Sequence, residues 1–492
     1  MKLRSLAKKI QGVRFAGKAN PDIRGISENS KAVKPGDLFV CVPGAKHDGR
    51  TYAEEAVRSG AEALVVEGSA LPGAGVPQLV VRDSREALAL LAHAFYREPS
   101  KKVRTIGVTG TKCKTTTTYL IRSILQRAGQ PAGLIGTIAY QIGSKVYEAN
   151  NTTPSALTIV KLLDEMRRQK CVWSVMEVSS HALEMNRVLG IEFEGAVFTN
   201  LGRDHLDYHK NFANYFKAKS RLFTEFKTLK TSAVNADDAY GRKLLKRLKR
   251  RAVGYGVKSK CAYQALGVEI KPGSIKFTVQ GHPFQVPLTG IFNVYNALAA
   301  IAVLRELGLS WEKLKDGFSR APAVPGRFEE VAAGQDFTVL VDYAHTPDAL
   351  KQALIASRDI LGKKSGHKLI SLFGCGGDRD KTKRPIMGKI SAQLADRTVV
   401  TSDNPRTENS KTILDDILRG VPKRLIQNGQ RRVWVEEDRR AAIRKALSMA
   451  KEGDLVLLAG KGHETYQIMG TQKQHFDDRE VAREILQKMG RR

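Results

Sequence analysis

Gly107-Val-Thr-Gly-Thr-Lys-Cys-Lys-Thr-Thr-Thr-Thr118 is the stretch on which the reading of this chain turns. An apolar run, residues 103–108, leads into it, and a helical pattern, residues 115–128, leads out. Strand, tight turn, Lys-Thr and helix make the layout of a phosphate-binding loop. Backbone N–H groups at a helix N-terminus point at an anion, and the helix dipole favours negative charge there. Lys114 is expected to reach terminal phosphates, and the Thr115 hydroxyl to take Mg2+. Glycine usually stands directly before that lysine, and here the residue is Cys113. A side chain held at positive φ in that place costs roughly 1–3 kcal/mol. The competing reading of the segment alone is a Gly/Thr-rich turn without a ligand.

On either side of this loop the chain falls into three expected blocks. Residues 1–100 hold strand-like runs at 37–42, 63–67 and 78–81 and a helical run at 84–96, followed by a polar link at 97–104. Residues 101–325 alternate apolar strands, such as 173–178 and 195–200, with helical segments such as 213–226. Residues 326–492 follow Val324-Pro-Gly-Arg327 and carry strands at 338–342, 368–374, 398–402 and 454–459. Strand–helix alternation predicts doubly wound α/β sheets in both larger blocks. The expected fold is therefore α/β in three domains. A smaller N-terminal domain precedes a central mononucleotide-binding parallel sheet and a C-terminal Rossmann-like domain. Ligands of such sheets sit at the carboxyl ends of the strands, and the distinctive polar residues of this chain cluster there.

The bulk numbers agree with a globular chain. Its 492 residues suffice for about three domains. Hydrophobic content is 42% and charged content 27%. Lys and Arg number 81 against 50 Asp and Glu, a net charge of +31. The basic residues are dispersed, with one dense run, Lys-Leu-Leu-Lys-Arg-Leu-Lys-Arg-Arg at 243–251, and no aromatic RNA-binding signature. Nucleic acid is not the expected partner; acidic, phosphate-bearing substrates account for part of the charge. Five scattered cysteines imply neither a disulfide framework nor a zinc site, so a reducing, cytoplasmic setting is expected. The basic first residues lack the apolar core of a secretory signal and predict a short helix. No apolar run approaches the roughly 20 residues of a membrane span.

Two further segments carry chemistry. Met176-Glu-Val-Ser-Ser-His181 ends one strand, and Asn200-Leu-Gly-Arg-Asp-His-Leu-Asp207 follows the next. A carboxylate and an imidazole at neighbouring strand ends suit a divalent cation near phosphates, which makes Glu177 and His205 candidate ligands.

With these pieces the chain resembles the Mur ligase family, the ATP-dependent amide ligases of peptidoglycan synthesis. The resemblance also rests on Asn151-Thr-Thr153, Gly290-Ile-Phe-Asn-Val-Tyr-Asn296, Pro325-Gly-Arg327, Asp342-Tyr-Ala-His-Thr-Pro347, Gly374–Arg384, Asp403-Asn-Pro-Arg406 and Gly460-Lys-Gly-His-Glu464. These run in the family's order over nearly the whole chain. They resemble most the branch that adds meso-diaminopimelate to UDP-N-acetylmuramoyl-L-alanyl-D-glutamate, releasing ADP and phosphate through an acyl phosphate.

The resemblance implies a role for each matching position. Gly110, Thr111, Lys112, Cys113, Lys114, Thr115 and Thr116 would hold ATP, with Asn293 and Asn296 on the nucleotide. Arg327 and Asp342 would join them from the last domain. Thr115, Glu177, His205 and Lys219 would ligate magnesium, Lys219 after carbamylation by CO2. Lys114, Lys219, His205 and Glu177 would be the catalytic set. Glu28, Ser30, Ala45, Lys46 and His47 match the uridine-diphosphate contacts; Asn151, Thr152, Thr153, Ser179, Met185 and Arg187 match those to the muramyl peptide. Arg379, Asp403, Asn404, Pro405, Arg406, Gly460 and Glu464 match the amino-acid site. Arg406 would fork onto the second carboxylate of meso-diaminopimelate, and Glu464 would take the distal ammonium. Departures from the family pattern are Cys113, Lys112, Met185 and Glu28-Asn-Ser-Lys31. A monomer is expected. Two rival readings are a basic relative with weakened catalysis acting as a binding or scaffold protein, and another ligase of the superfamily such as a folylpolyglutamate synthase.

Overall fold

In the computed structural model, residues 1–44, 48–271, 273–321, 323–362, 366–426 and 432–490 are described. They fall into two compact units, Met1–Gln264 with Tyr295–Gly317, and Ala265–Val294 with Phe318–Arg492.

The first unit contains two sheets. The N-terminal one has the order Arg14–Ala16, Gln78–Val81, Ala61–Glu67, Asp37–Val40, Gly25–Ser27. Its first pair is antiparallel and the rest are parallel. Apolar side chains cover both faces. Leu38, Val40, Ala63 and Val65 pack with Leu88 and Leu91 of helix Ser84–Phe95 on one side. Phe39, Leu64, Val66 and Val80 pack with Ala53 and Ala56 on the other.

The larger sheet has nine strands. Its order is Tyr263–Gln264, Val253–Gly256, Thr231–Asn235, Phe193–Phe198, Arg104–Thr109, Trp173–Glu177, Ala132–Ile135, Ala139–Ile142, Lys145–Glu148. The first seven run parallel, and each of the last two is antiparallel to the strand before it. Arg104–Thr109 lies between Phe193–Phe198 and Trp173–Glu177, so the chain order reverses around it. That is the topological switch point where doubly wound sheets bind ligands.

The second unit has a six-stranded sheet with order Arg327–Glu330, Thr338–Asp342, Leu455–Ala459, Leu369–Phe373, Arg397–Val400, Val433–Val435. Only its first pair is antiparallel. Successive side chains alternate between two cores: Leu369 and Phe373 face one, Ile370 and Leu372 the other. That period of two, apolar on both faces, is what a sheet covered by helices on both sides demands. The unit also holds an antiparallel sheet of Leu266–Lys271, Ser274–Val279 and His282–Val286, and the hairpin Tyr466–Met469 with Gln472–His475.

Two expectations need correcting. Strand–helix alternation was expected throughout residues 101–325, but 266–286 is an antiparallel three-stranded sheet. The strand expected at 195–200 is Phe193–Phe198, because Thr199 and Asn200 leave the ladder to hold the phosphate loop. Among the described residues, no helix is long and apolar enough to cross a membrane.

Candidate active site

The loop between strand Arg104–Thr109 and helix Lys114–Arg127 has the expected form. Gly110 has φ 151°, and a carbon built on it would lie 1.8 Å from Thr199 Oγ1, so only glycine fits. The neighbouring strand fastens the loop: the Lys112 N–H donates to Asn200 Oδ1 at 2.9 Å, and Thr199 Oγ1 donates to the Lys112 carbonyl at 2.6 Å. Cys113 caps the helix at φ 71°, the left-handed conformation that its position predicts to be strained. Lys114 Nζ lies over the loop, 3.0 Å from the Gly110 carbonyl and 3.1 Å from that of Thr111. Thr116 is buried in the first turn, and Thr117 Oγ1 donates to Asn296 Oδ1 at 3.2 Å.

Glu177 ends its strand fully buried, one strand over from the loop. It accepts hydrogen bonds from Thr115 Oγ1 at 3.1 Å, from the Thr137 N–H at 2.8 Å and from Thr137 Oγ1 at 3.1 Å. Thr137 was not foreseen. It follows strand Ala132–Ile135, too short an apolar run to mark the sequence, and its hydroxyl also meets Thr152 at 3.1 Å.

The muramyl-peptide candidates form one network on the same strand end. Thr153 Oγ1 donates to the Glu177 carbonyl at 2.8 Å and accepts from the Ser179 N–H at 3.0 Å. Arg187 donates to the Thr153 carbonyl at 2.9 Å and contacts Met185 Sδ at 3.4 Å. Burial lowers the Arg187 pKa, and Glu28 counteracts this. Asn151 accepts from the Tyr140 hydroxyl at 2.8 Å, and Ser30 is buried in the N-terminal domain. Ala45, Lys46 and His47 lie outside the described residues.

Lys219 is only 1% exposed on helix Phe212–Thr224. Its Nζ donates to the Gly110 carbonyl at 2.9 Å and sits 4.6 Å from the Tyr215 ring centre. Complete burial, with the Lys114 ammonium nearby, lowers its pKa well below the ordinary lysine value. His205 has φ 52° and stands edge-on to His181 with ring centres 4.9 Å apart. Behind it, buried His209 meets Ser180 Oγ at 2.8 Å, a support that sequence reading missed. Among the described residues, no three His, Cys, Asp or Glu side chains gather as a metal cage. The paired Glu177 carboxylate and Thr115 hydroxyl supply the hard oxygen donors that Mg2+ prefers, so these residues fit such an ion.

In the second unit, Asn293 is buried and donates to the Thr289 carbonyl at 2.8 Å. Arg327 and Asp342 pair in register; Asp342 Oδ2 accepts from the Phe328 N–H at 2.9 Å, and the Arg327 guanidinium lies 4.9 Å from the Tyr343 ring centre.

The amino-acid candidates meet at three strand ends of this sheet. Asn404 Nδ2 donates to Glu464 Oε2 at 2.9 Å. Buried Lys461 donates to Asn404 Oδ1 at 3.2 Å, to Glu464 Oε2 at 3.4 Å and to the Tyr466 carbonyl. Burial, aided by Asp403, raises the Glu464 pKa. Arg406 has φ 53°, and its Nη1 donates to the Gly377 carbonyl at 2.8 Å. A carbon built on Gly376 would lie 2.9 Å from Arg406 Nη1 and 3.9 Å from Arg379 Cγ, so both arginines flank one turn. Pro405 is buried, and a carbon built on Gly460 would lie 2.8 Å from Asp403 Oδ2. Lys461 escaped sequence reading because a lysine between two glycines looks like an exposed turn.

Three family models match the chain: the Mur ligase family catalytic domain at residues 22–96, the Mur ligase middle domain at 108–304, and the Mur ligase glutamate ligase domain at 326–462. A relative from Syntrophomonas wolfei, named UDP-N-acetylmuramoyl-L-alanyl-D-glutamate–2,6-diaminopimelate ligase, is 44% identical over 99% of each chain. This chain belongs to the Mur ligase family. One of the same name from Gloeobacter violaceus is 46% identical, covering 95% of this chain and 94% of its own. A solved structure of a ligase with that name is 31% identical with TM-score 0.68, covering 95% of both chains. The family's three-domain α/β architecture is the fold found here.

Proposed function

We infer that this protein is an ATP-dependent ligase that joins diaminopimelate to UDP-N-acetylmuramoyl-L-alanyl-D-glutamate in peptidoglycan precursor synthesis. Relatives that cover nearly the whole chain carry that name. The single structural observation behind the choice of amino acid is the cluster of Arg406, Asn404, Lys461 and Glu464 at the strand ends of the second unit. Asn404 joins a guanidinium and a carboxylate in it: its carbonyl accepts from Arg406 Nη1 at 3.4 Å and its Nδ2 donates to Glu464. That is what a substrate end bearing both a carboxylate and an ammonium requires, and it favours meso-diaminopimelate over lysine. The match at residues 22–96 and this cluster both argue against a folylpolyglutamate synthase.

The chemistry follows from the residue types. Joining a carboxylate to an amine first needs the carboxylate activated. Its oxygen takes the γ-phosphoryl group, the bond to ADP breaks, and an acyl phosphate forms. The amine then attacks the acyl carbon, phosphate leaves, and the amine sheds a proton. Lys114 and the loop N–H groups hold the phosphates, and Thr153, Ser179 and Arg187 position the muramyl peptide. Arg379, 403–406, Gly460 and Glu464 hold the amino acid. The resemblance also assigns nucleotide contacts to Asn296 of the first unit and, within the second unit, to Asn293, Arg327 and Asp342. Residues 1–100, 101–325 and 326–492 would divide these tasks as uridine-diphosphate, ATP and amino-acid domains, in a cytoplasmic monomer.

Magnesium would be held by Thr115, Glu177 and His205, with carbamylated Lys219 as a ligand of a second ion. When bound, the ions neutralise charge in phosphoryl transfer. Lys219 suits carbamylation because its low pKa favours the neutral amine, which bonds to the carbon of CO2 and loses a proton. Cys113 at φ 71° and the net charge of +31 favour the rival reading of a relative with weakened turnover. Phosphate release dependent on both UDP-substrate and diaminopimelate tests the proposal; ATP binding without such release would favour the rival.

A further inference from the structure

Behind the amino-acid cluster lies a buried ion pair that the reaction scheme above does not use. Arg439 opens helix Arg439–Ser448 and is 1% exposed; Asp478 opens helix Asp478–Met489 and is fully buried. Arg439 Nε donates to Asp478 Oδ1 at 2.8 Å, and Nη2 to Oδ2 at 2.6 Å. The rest of the guanidinium reaches backbone: Nη1 donates to the Ser402 carbonyl at 3.0 Å, and Nη2 to the Ala459 carbonyl at 3.1 Å.

The placement of those two carbonyls matters. Ser402 follows strand Arg397–Val400, and Ala459 ends strand Leu455–Ala459. These strands are not neighbours, since Leu369–Phe373 runs between them. No ladder hydrogen bond joins their ends directly; each is held only through the strand between them. The next residue along each chain is Asp403 or Gly460, where the amino-acid turns begin. The turns touch at once: a carbon built on Gly460 would lie 2.8 Å from Asp403 Oδ2. One rigid fork thus ties the bases of the two turns, whose tips are joined by the bonds of Asn404 to Lys461 and Glu464.

We propose that Arg439 is a positioning residue of the amino-acid subsite, clamping the turns 403–406 and 460–464 into one frame for the incoming amino acid. The inference rests on the amino-acid site proposed above. A purely stabilising role explains the pair poorly. Burying two charges costs much of what their attraction returns, and apolar replacements of such pairs are often neutral. Lysine cannot replace the fork, because one ammonium cannot span two carbonyls and a bidentate carboxylate in fixed planar geometry.

The test is steady-state kinetics of the full-length protein, with the KM of each of the three substrates measured separately. Two variants are used, Arg439→Lys, which keeps the charge, and the double variant Arg439→Met/Asp478→Leu, which removes both partners of the pair together. A misplacement of about 1 Å can cost about a hundredfold in rate, so both variants should lose about 10–100-fold in kcat/KM for diaminopimelate. The KM values for ATP and the UDP-substrate should stay within about twofold, even if the unfolding midpoint falls because the Ser402 and Ala459 carbonyls lose their donor. A folded variant with unchanged kcat/KM for diaminopimelate overturns the proposal, as does an equal rise in the KM of all three substrates. If the unaltered protein shows no diaminopimelate-dependent turnover, the functional reading fails and the proposal with it. Normal turnover by that protein beside an unaffected variant removes the proposal alone.

Discussion

Lys219 illustrates how one side chain takes its chemistry from its surroundings. On a helix, a lysine between Ala218 and Ser220 is ordinarily a solvated surface residue; here it is buried against Tyr215 and bonded to Gly110. Lys219→Ala should lower ligation by about 100–1,000-fold, the usual loss when one electrostatic stabiliser of a transition state is removed. Partial recovery with added short carboxylic acids would support the carbamate role, whereas near-normal turnover would refute it. Cys113 makes an independent case. If its φ of 71° is strained, Cys113→Gly relieves roughly 1 kcal/mol, about fivefold in ATP affinity or turnover. A slower or weaker-binding variant would mean that the loop has adapted to cysteine. Arg406→Ala should lose about 10–150-fold in kcat/KM for meso-diaminopimelate, since a hydrogen bond to a charged group is worth roughly 1.5–3 kcal/mol. Its effect on lysine, already a poor substrate, should be smaller, so selectivity narrows. Unchanged selectivity would remove Arg406 from the site.

At the scale of elements, Asp237 shows how a loop is anchored. It follows strand Thr231–Asn235 and accepts from the N–H groups of Val257, Lys258 and Ser259 at 2.7, 2.9 and 2.7 Å, and from the Tyr295 hydroxyl at 2.8 Å. Burial acts to raise its pKa, yet those donors hold it down at about 2. Asp237→Ala should cost roughly 2–3 kcal/mol in denaturant unfolding, because several donors are left partnerless; a loss within experimental error would show that water replaces the carboxylate. The same scale explains what the sequence made legible. The strand at Arg104–Thr109 and helix Lys114–Arg127 stood out because apolar run, glycine and Lys-Thr coincide there. Lys145–Glu148 did not, since an exposed edge strand has no apolar face to betray it. Glu177 and Lys114 could be named from motifs, but Thr137, Lys461 and Arg439 act through tertiary neighbours from distant strands, and no local spacing announces them.

Across the whole molecule, buried histidines make stability depend on pH. Burial above all depresses His93 to about 4, His181 to about 4 and His463 to about 3. Unfolded, each would titrate near 6.5, so the unfolded chain takes up protons first as pH falls. Stability is therefore full above about pH 6.5 and declines toward pH 4. For His93 the difference between pH 7.5 and pH 5 should be roughly 2 kcal/mol, and His93→Gln should flatten that part of the profile. An unfolding midpoint that does not move over this range would contradict the burial of these rings. The charge of +31 gives no comparable handle on function, being spread over the sequence rather than gathered at one site. What decides the function is which amino acid drives catalysis. The most direct measurement is phosphate release from ATP with UDP-N-acetylmuramoyl-L-alanyl-D-glutamate and, in parallel, meso-diaminopimelate, lysine or no amino acid. Release should require the UDP-substrate and proceed efficiently only with meso-diaminopimelate; equal or faster release with lysine, or none with meso-diaminopimelate, would contradict the assignment of 403–406 and Glu464 as its binding site.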